Sequence, residues 1–268
     1  MLLNYACVIL GGFLTYAIFR RKLKPIGMLQ PLSLHFVDVL LLGFLISTTL
    51  LLCVFAGKVA TKVYPNDTLS ATFAYGVVYQ IVMLWAIFAF KNFVKCKFYF
   101  GIKIDLFVVK ASLLYFLKAM LFAFGLGIVI NAIVFLLTGA LPEKQDIIGI
   151  FSEIKSPVVF SFAVISIVVL APLMEELLFR GILYRSLAGL FCKKFTVERA
   201  KELSAIVAAI IFAIAHENAF ACIPLFVIGL LLTSLYERTN SIVAPMICHG
   251  LFNLFNVAMI LVFPEASK

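Results

Sequence analysis

The sequence predicts an all-α, polytopic transmembrane helical bundle of about eight membrane helices. Three observations predict it. Of 268 residues, 64% are hydrophobic and only 13% are charged, against about 25% charged in ordinary soluble domains. The mean hydropathy is +1.15. Apolar runs recur along the chain, close to the ~20 residues a helix needs to cross a hydrocarbon core of about 30 Å. No polar stretch is long enough for a separate soluble domain, and no Gly/Ser or Pro tract marks a linker.

The elements follow in order. Met1 to Phe19 has no cation before it and Arg20, Arg21, Lys22 and Lys24 after it. A cleavable signal peptide has the opposite charge order, so this run is expected to be an uncleaved first helix with its N-terminus outside. Further spans are expected near 33–57, 71–90, 111–138, 158–185, 203–219, 221–236 and 241–263. The pair between 203 and 236 is short and nearly continuous, so one of its members could be re-entrant. The stretch "FYFGIKIDLFVVK" (98–110) mixes charge with apolar residues and is expected in the interface.

Loop charges alternate. Cations dominate 20–24, 91–110 (Lys91, Lys95, Lys97, Lys103, Lys110) and 191–202 (Lys193, Lys194, Arg199, Lys201). The loops between are weaker: 139–157 sets Glu143, Asp146 and Glu153 against Lys144 and Lys155. The positive-inside tendency puts the first three loops in the cytoplasm. The net charge of +9 then reflects orientation and anionic headgroups, not nucleic acid, and membrane lipids are expected partners. Short loops suggest a bacterial cytoplasmic membrane. The cysteines (Cys7, Cys53, Cys96, Cys192, Cys222, Cys248) form no CxxC pair and read as small buried hydrophobes.

Ionisable residues inside spans are expensive and are functional candidates by default. Asp38, with His35, lies near a span start and is expected to reach the interface; Lys118 is expected to snorkel. Glu175, Glu176 and Arg180, in "PLMEELLFRG", differ. On a helix Glu176 and Arg180 share a face four residues apart, in the favourable order. Arg180 then neutralises one carboxylate, and Glu175, about 100° round the helix, is left to face a cavity. A purely structural ion pair with Glu175 as spectator is the competing interpretation. Two histidines weigh against it. "FAIAH" places Phe212 and His216 one turn apart, and "HGLFN" does the same for His249 and Asn253. At about 1.5 Å per residue, Glu175 lies about 15 Å from Arg185, His249 about 12 Å from Ser241, and His216 about 20 Å from Leu203. If those ends face the cytoplasm, the three meet at an intermediate depth.

"EELLFR" (175–180), "FAIAH" (212–216) and "HGLFN" (249–253) match EExxxR, FxxxH and HxxxN in that order. Over roughly residues 158–260 the chain resembles the CAAX prenyl protease and bacteriocin-processing family, also called the abortive-infection family. The domain organisation expected is N-terminal helices and loops over 1–157 and a protease-like core over 158–268.

The resemblance implies a glutamate-dependent intramembrane endopeptidase acting on a membrane-associated peptide or protein, of prenylated CAAX or bacteriocin type. It implies that Glu175 and His216 activate a water, while His249 and Asn253 donate to the developing oxyanion. Glu176 and Arg180, with Phe212, would support them, and no cofactor or metal is implied. The chemistry is reasonable from below. Burial raises a carboxylate's pKa towards the range of a general base near neutral pH. Oxyanion donors in a dry site are each worth about 3–4 kcal/mol. A zinc protease is the nearest rival. Phe220 stands where HExxH needs its second histidine, so that motif fails, while a Glu175/His216/His249 zinc site stays geometrically open. Cys248 points about 100° away from His249, against a thiol protease. A non-catalytic scaffold or a bacteriocin self-immunity protein is the alternative from another class.

Overall fold

The computed structural model describes residues 29–64, 68–139, 154, 156–218 and 221–262. Seven helices stand among them: α1 (Phe36–Val63), α2 (Thr68–Phe93), α3 (Leu106–Thr138), α4 (Pro157–Phe191), α5 (Val197–Ile214), α6 (Cys222–Thr239) and α7 (Val243–Val262). They correspond one for one to the last seven expected spans. The first expected span, 1–19, with its cationic loop, and most of the loop 139–157 lie outside the described residues.

Six of the helices, all but α5, are long and apolar enough to cross a membrane, and the chain is a multi-pass integral membrane protein. The helix expected at 203–219 is present but starts earlier and ends sooner than expected. Helix α5 begins at Val197 and carries Glu198, Arg199, Lys201 and Glu202 in its first turns. These charges make its start amphipathic, and His216 lies in the turn beyond its end. At 18 residues it is about 27 Å long.

Helix starts and stops have local causes. Asp105 caps α3, accepting from Val108 N–H at 2.8 Å, and its salt bridge with Lys103 holds the carboxyl below the usual carboxylate range. Ser156 and Thr196 cap α4 and α5 through their hydroxyls, and Pro157 stands in the first turn of α4, where its missing N–H costs nothing. Asn240, in the left-handed region, ends α6. Asp38 is at its helix start as expected, and its side chain is turned into the protein. It is 2% exposed and accepts from the backbone N–H groups of His35 and Lys95, so it caps α1 and pins the segment after α2. Lys118 lies over the Tyr115 ring.

Helices α1 and α2 pair, α5 and α6 pair, and α3 packs against α6 and α7. Helix α4 runs among α2, α5 and α7. One core cluster joins Leu29, Leu45, Met83, Phe90 and Phe100 to Met174, Leu177 and Tyr236; a second joins Val108 and Tyr115 to Leu232, Leu235 and Cys248. Residues from both halves of the chain thus share each core.

The segment 94–105 straps one end of the bundle. Tyr236 donates to Phe100 O, Arg185 to Tyr99 O, Ile242 N–H to Gly101 O, and Lys103 N–H to Ser241 Oγ. Gly101 takes φ +70°, and a Cβ there would collide with Asn240 O. The same end holds Lys201, whose ammonium pairs with Glu237 at 3.0 Å while Tyr184 donates to the other Glu237 oxygen at 2.7 Å. Both described cationic stretches therefore lie on one side.

Candidate active site

The site is built on α4, which is not a uniform α-helix. Ser166–Leu170 and Leu177–Tyr184 are π-helical and flank the α-helical Ala171–Glu176. π turns inside α-helices recur at functional sites. Glu175 and Glu176 end the α-helical insert.

Glu176 is fully buried, at 0% exposure. Its Oε1 accepts from Arg180 Nη1 at 2.7 Å and from His249 Nδ1 at 2.8 Å. Arg180 also donates to Gly229 O at 3.3 Å, and its guanidinium lies 4.4 Å from the Phe212 ring centroid. A buried arginine is thereby neutralised, hydrogen-bonded and covered on one face.

Glu175 faces the two histidines. Its Oε2 is 4.0 Å from His216 Nε2 and 3.8 Å from His249 Nε2. Both separations exceed a direct hydrogen bond, and Glu175 Oε2 has no protein partner within hydrogen-bonding distance. Each imidazole is held by its other nitrogen. His216 Nδ1 meets Phe212 O at 2.8 Å, and a carbonyl can only accept, so Nδ1 carries a proton and, in the neutral ring, Nε2 presents a lone pair. His249 Nδ1–H likewise donates to Glu176. The exposure of the side chains runs from His216 (32%) through Glu175 (18%) to His249 (7%), so the cluster opens on the His216 side.

Phe212 is the packing centre. Its ring meets Phe179, His216 and His249 edge to face. Asn253 sits one turn from His249, but its amide nitrogen donates to Ile167 O at 2.8 Å, towards the first π turn of α4. The structure thus brings Glu175, Glu176, Arg180, Phe212, His216 and His249 together, and places Asn253 at the edge. Among the described residues no group of three His, Cys, Asp or Glu side chains is arranged to hold a metal ion. Cys248 is buried in the core cluster that holds Ala244 and Leu235.

A search for charges does not find Gln80, whose Oε1 accepts from Ser166 Oγ at 2.8 Å. The signal was a carboxamide in the middle of an apolar span. Glu237, with Tyr184 and Lys201, was equally visible only as a polar residue at a helix end.

Residues 157–255 match the family described as Type II CAAX prenyl endopeptidase Rce1-like. All three motifs fall inside this Rce1-like segment, and the resemblance carried by them is borne out there. Two curated proteins are similar. The "Membrane-embedded CAAX protease MroQ" of Staphylococcus aureus (strain USA300) is 35% identical over 101 residues, 37% of this chain and 40% of that protein. The "Uncharacterized 24.3 kDa protein" of Escherichia coli is 29% identical over 113 residues, 41% of this chain and 49% of that protein. The matches span less than half the length of these relatives. No solved structure matches.

Proposed function

We propose that the chain is an intramembrane, glutamate-dependent endopeptidase of a bacterial cytoplasmic membrane. Its substrate is a membrane-associated peptide or protein of prenylated CAAX or bacteriocin type. The observation that carries the reading is the Glu175 carboxylate aimed at two imidazole Nε2 atoms over a neutralised Glu176–Arg180 pair. The Rce1-like segment supports it.

Separations near 4 Å suit a bridging water. Glu175, with the lone pair of His216 Nε2, takes a proton from that water as its oxygen attacks the scissile carbonyl carbon. The carbonyl π pair moves to oxygen, giving a tetrahedral oxyanion. His249 donates to this oxyanion from Nε2 when its ring carries both protons, because its Nδ1–H is committed to Glu176. The proton held on Glu175 or His216 then passes to the leaving nitrogen as the C–N bond breaks, yielding an amine and a carboxylic acid, which ionises by giving its remaining proton to the amine or to water. Asn253, with one amide N–H bonded to Ile167 O, would use its other N–H for the same oxyanion.

Zinc-dependent hydrolysis is the second reading. Both imidazoles direct Nε2 at Glu175 while Nδ1 is bonded, as ligating histidines are held; the described residues nevertheless supply no three-ligand group. The test is an unbiased comparison of membrane peptides from cells carrying the wild type or Glu175→Ala, repeated with purified protein after chelation. Fragments that depend on Glu175 and survive chelation are expected. Identical peptide profiles would leave the scaffold or self-immunity alternative, and chelation reversed by zinc would move the chain to the metalloproteases.

A further inference from the structure

A carboxamide inside an apolar span is costly unless bonded. Gln80 sits in the interior of α2 and is 9% exposed. Its partner, Ser166, behaves unlike most helical hydroxyls here. Thr49, Ser186, Ser204 and Thr233 each turn back on the carbonyl four residues before, the usual habit of Ser and Thr in helices. Ser166 instead reaches across to another helix, and it opens the first π segment of α4.

The next two residues are held from the opposite side. Ile167 O accepts from Asn253. Val168 O lies so near Gly250 that a Cβ there would stand 2.8 Å from it. Three consecutive residues of α4 are therefore gripped by Gln80, Asn253 and Gly250, and Gly250 follows His249 directly in α7. Glu175 is nine residues further along α4, about 13 Å. The 3.8 Å between Glu175 and His249 depends on how these two helices are registered.

We propose that Gln80 is a positioning residue of the site. By holding Ser166 it fixes the π turn that Asn253 and Gly250 grip, and so sets the register between Glu175 and His249. The proposal rests on reading that cluster as catalytic. It gives the N-terminal part of the chain a part in the site.

The sequence holds three histidines, His35, His216 and His249, so the rings of ¹³C-histidine-labelled full-length protein in detergent can be followed individually. Gln80→Leu and Ser166→Ala should each displace the His249 resonance in the same direction and leave His35 in place. The double variant should move it no further. Ser166→Thr, which keeps the hydroxyl, should restore it. On a cleaved peptide, both disruptive variants should lower kcat about tenfold with KM nearly unchanged, since sub-ångström misplacement is felt mainly in the reacting geometry. An unmoved His249 resonance overturns the proposal, as does a displaced resonance with wild-type kcat. Should the wild type cleave nothing, the protease reading fails by itself, and the His249 resonance still decides whether Gln80 sets the register. Ser166→Ala removes only one oxygen and keeps the test usable if Gln80→Leu does not fold.

Discussion

Glu176→Ala separates structural support from chemistry. A single carboxylate oxygen takes both Arg180 and His249. Truncation leaves a guanidinium that is 2% exposed with Gly229 O at 3.3 Å as its hydrogen-bond acceptor, the Phe212 face and the more distant charge of Glu175. Removing one partner of a buried pair costs about 3–5 kcal/mol. In a membrane the unfolded reference also hosts the arginine in lipid, which argues for the lower end, about 3 kcal/mol. At about 2–4 °C per kcal/mol, the unfolding midpoint should fall by about 6–12 °C. Cys53 and Cys248 are buried, at 1% and 2% exposure, so a maleimide dye reports unfolding in detergent as they become reactive. Glu176→Gln keeps an acceptor and the volume, and should lose less. Glu176→Ala combined with Arg180→Met removes both charges and should recover much of the loss. An unchanged midpoint for Glu176→Ala, or a double variant no better than the single, would refute the argument.

Glu175→Ala should abolish cleavage while moving the melting midpoint by no more than about 2 °C, because neither histidine is close enough to hydrogen-bond it; a folded, fully active variant sinks the base assignment. Gly189→Ala should lower the midpoint by about 2–12 °C, as its Cβ would collide with the Leu32 backbone carbonyl, an overpacking of about 1–3 kcal/mol; a wild-type melt would mean residues 29–34 can move aside. Lys201→Met should destabilise by leaving the Glu237 carboxylate with the Tyr184 hydroxyl alone, and Lys201→Met with Glu237→Gln should be milder in the same melt.

The helical architecture was legible because a lipid-spanning chain must satisfy its backbone within each segment, and hydropathy then gives the helices almost directly. The Glu176–Arg180 contact was legible for a similar reason: a four-residue spacing is a local rule of helix geometry. The start of α5 was not, because Glu198, Arg199, Lys201 and Glu202 lower the hydropathy of turns that are helical all the same. The burial of Asp38 depends on Lys95, 57 residues away, and no local pattern announces such a partner. The pairing of Gln80 with Ser166 and the use of Asn253 on Ile167 O needed the helix order and rotation in three dimensions. The motifs named the groups that meet; they did not say that His249 is shared between two carboxylates.

The alternation of α and π geometry in α4 makes this helix an indexed shaft. Each residue advances the side-chain direction by about 100° in α form, and a π turn absorbs extra chain without advancing as far. Deleting one residue from Ser166–Leu170 would let the turn relax to α geometry. Everything on one side of it would then slew round relative to the other, carrying Glu175 away from His216 and His249 or tearing Ser166 and Ile167 from their partners. Point substitutions in the lipid-facing part of that turn, such as at the half-exposed Val169, leave the phase untouched. The stretch should therefore tolerate changes of letter and reject changes of length.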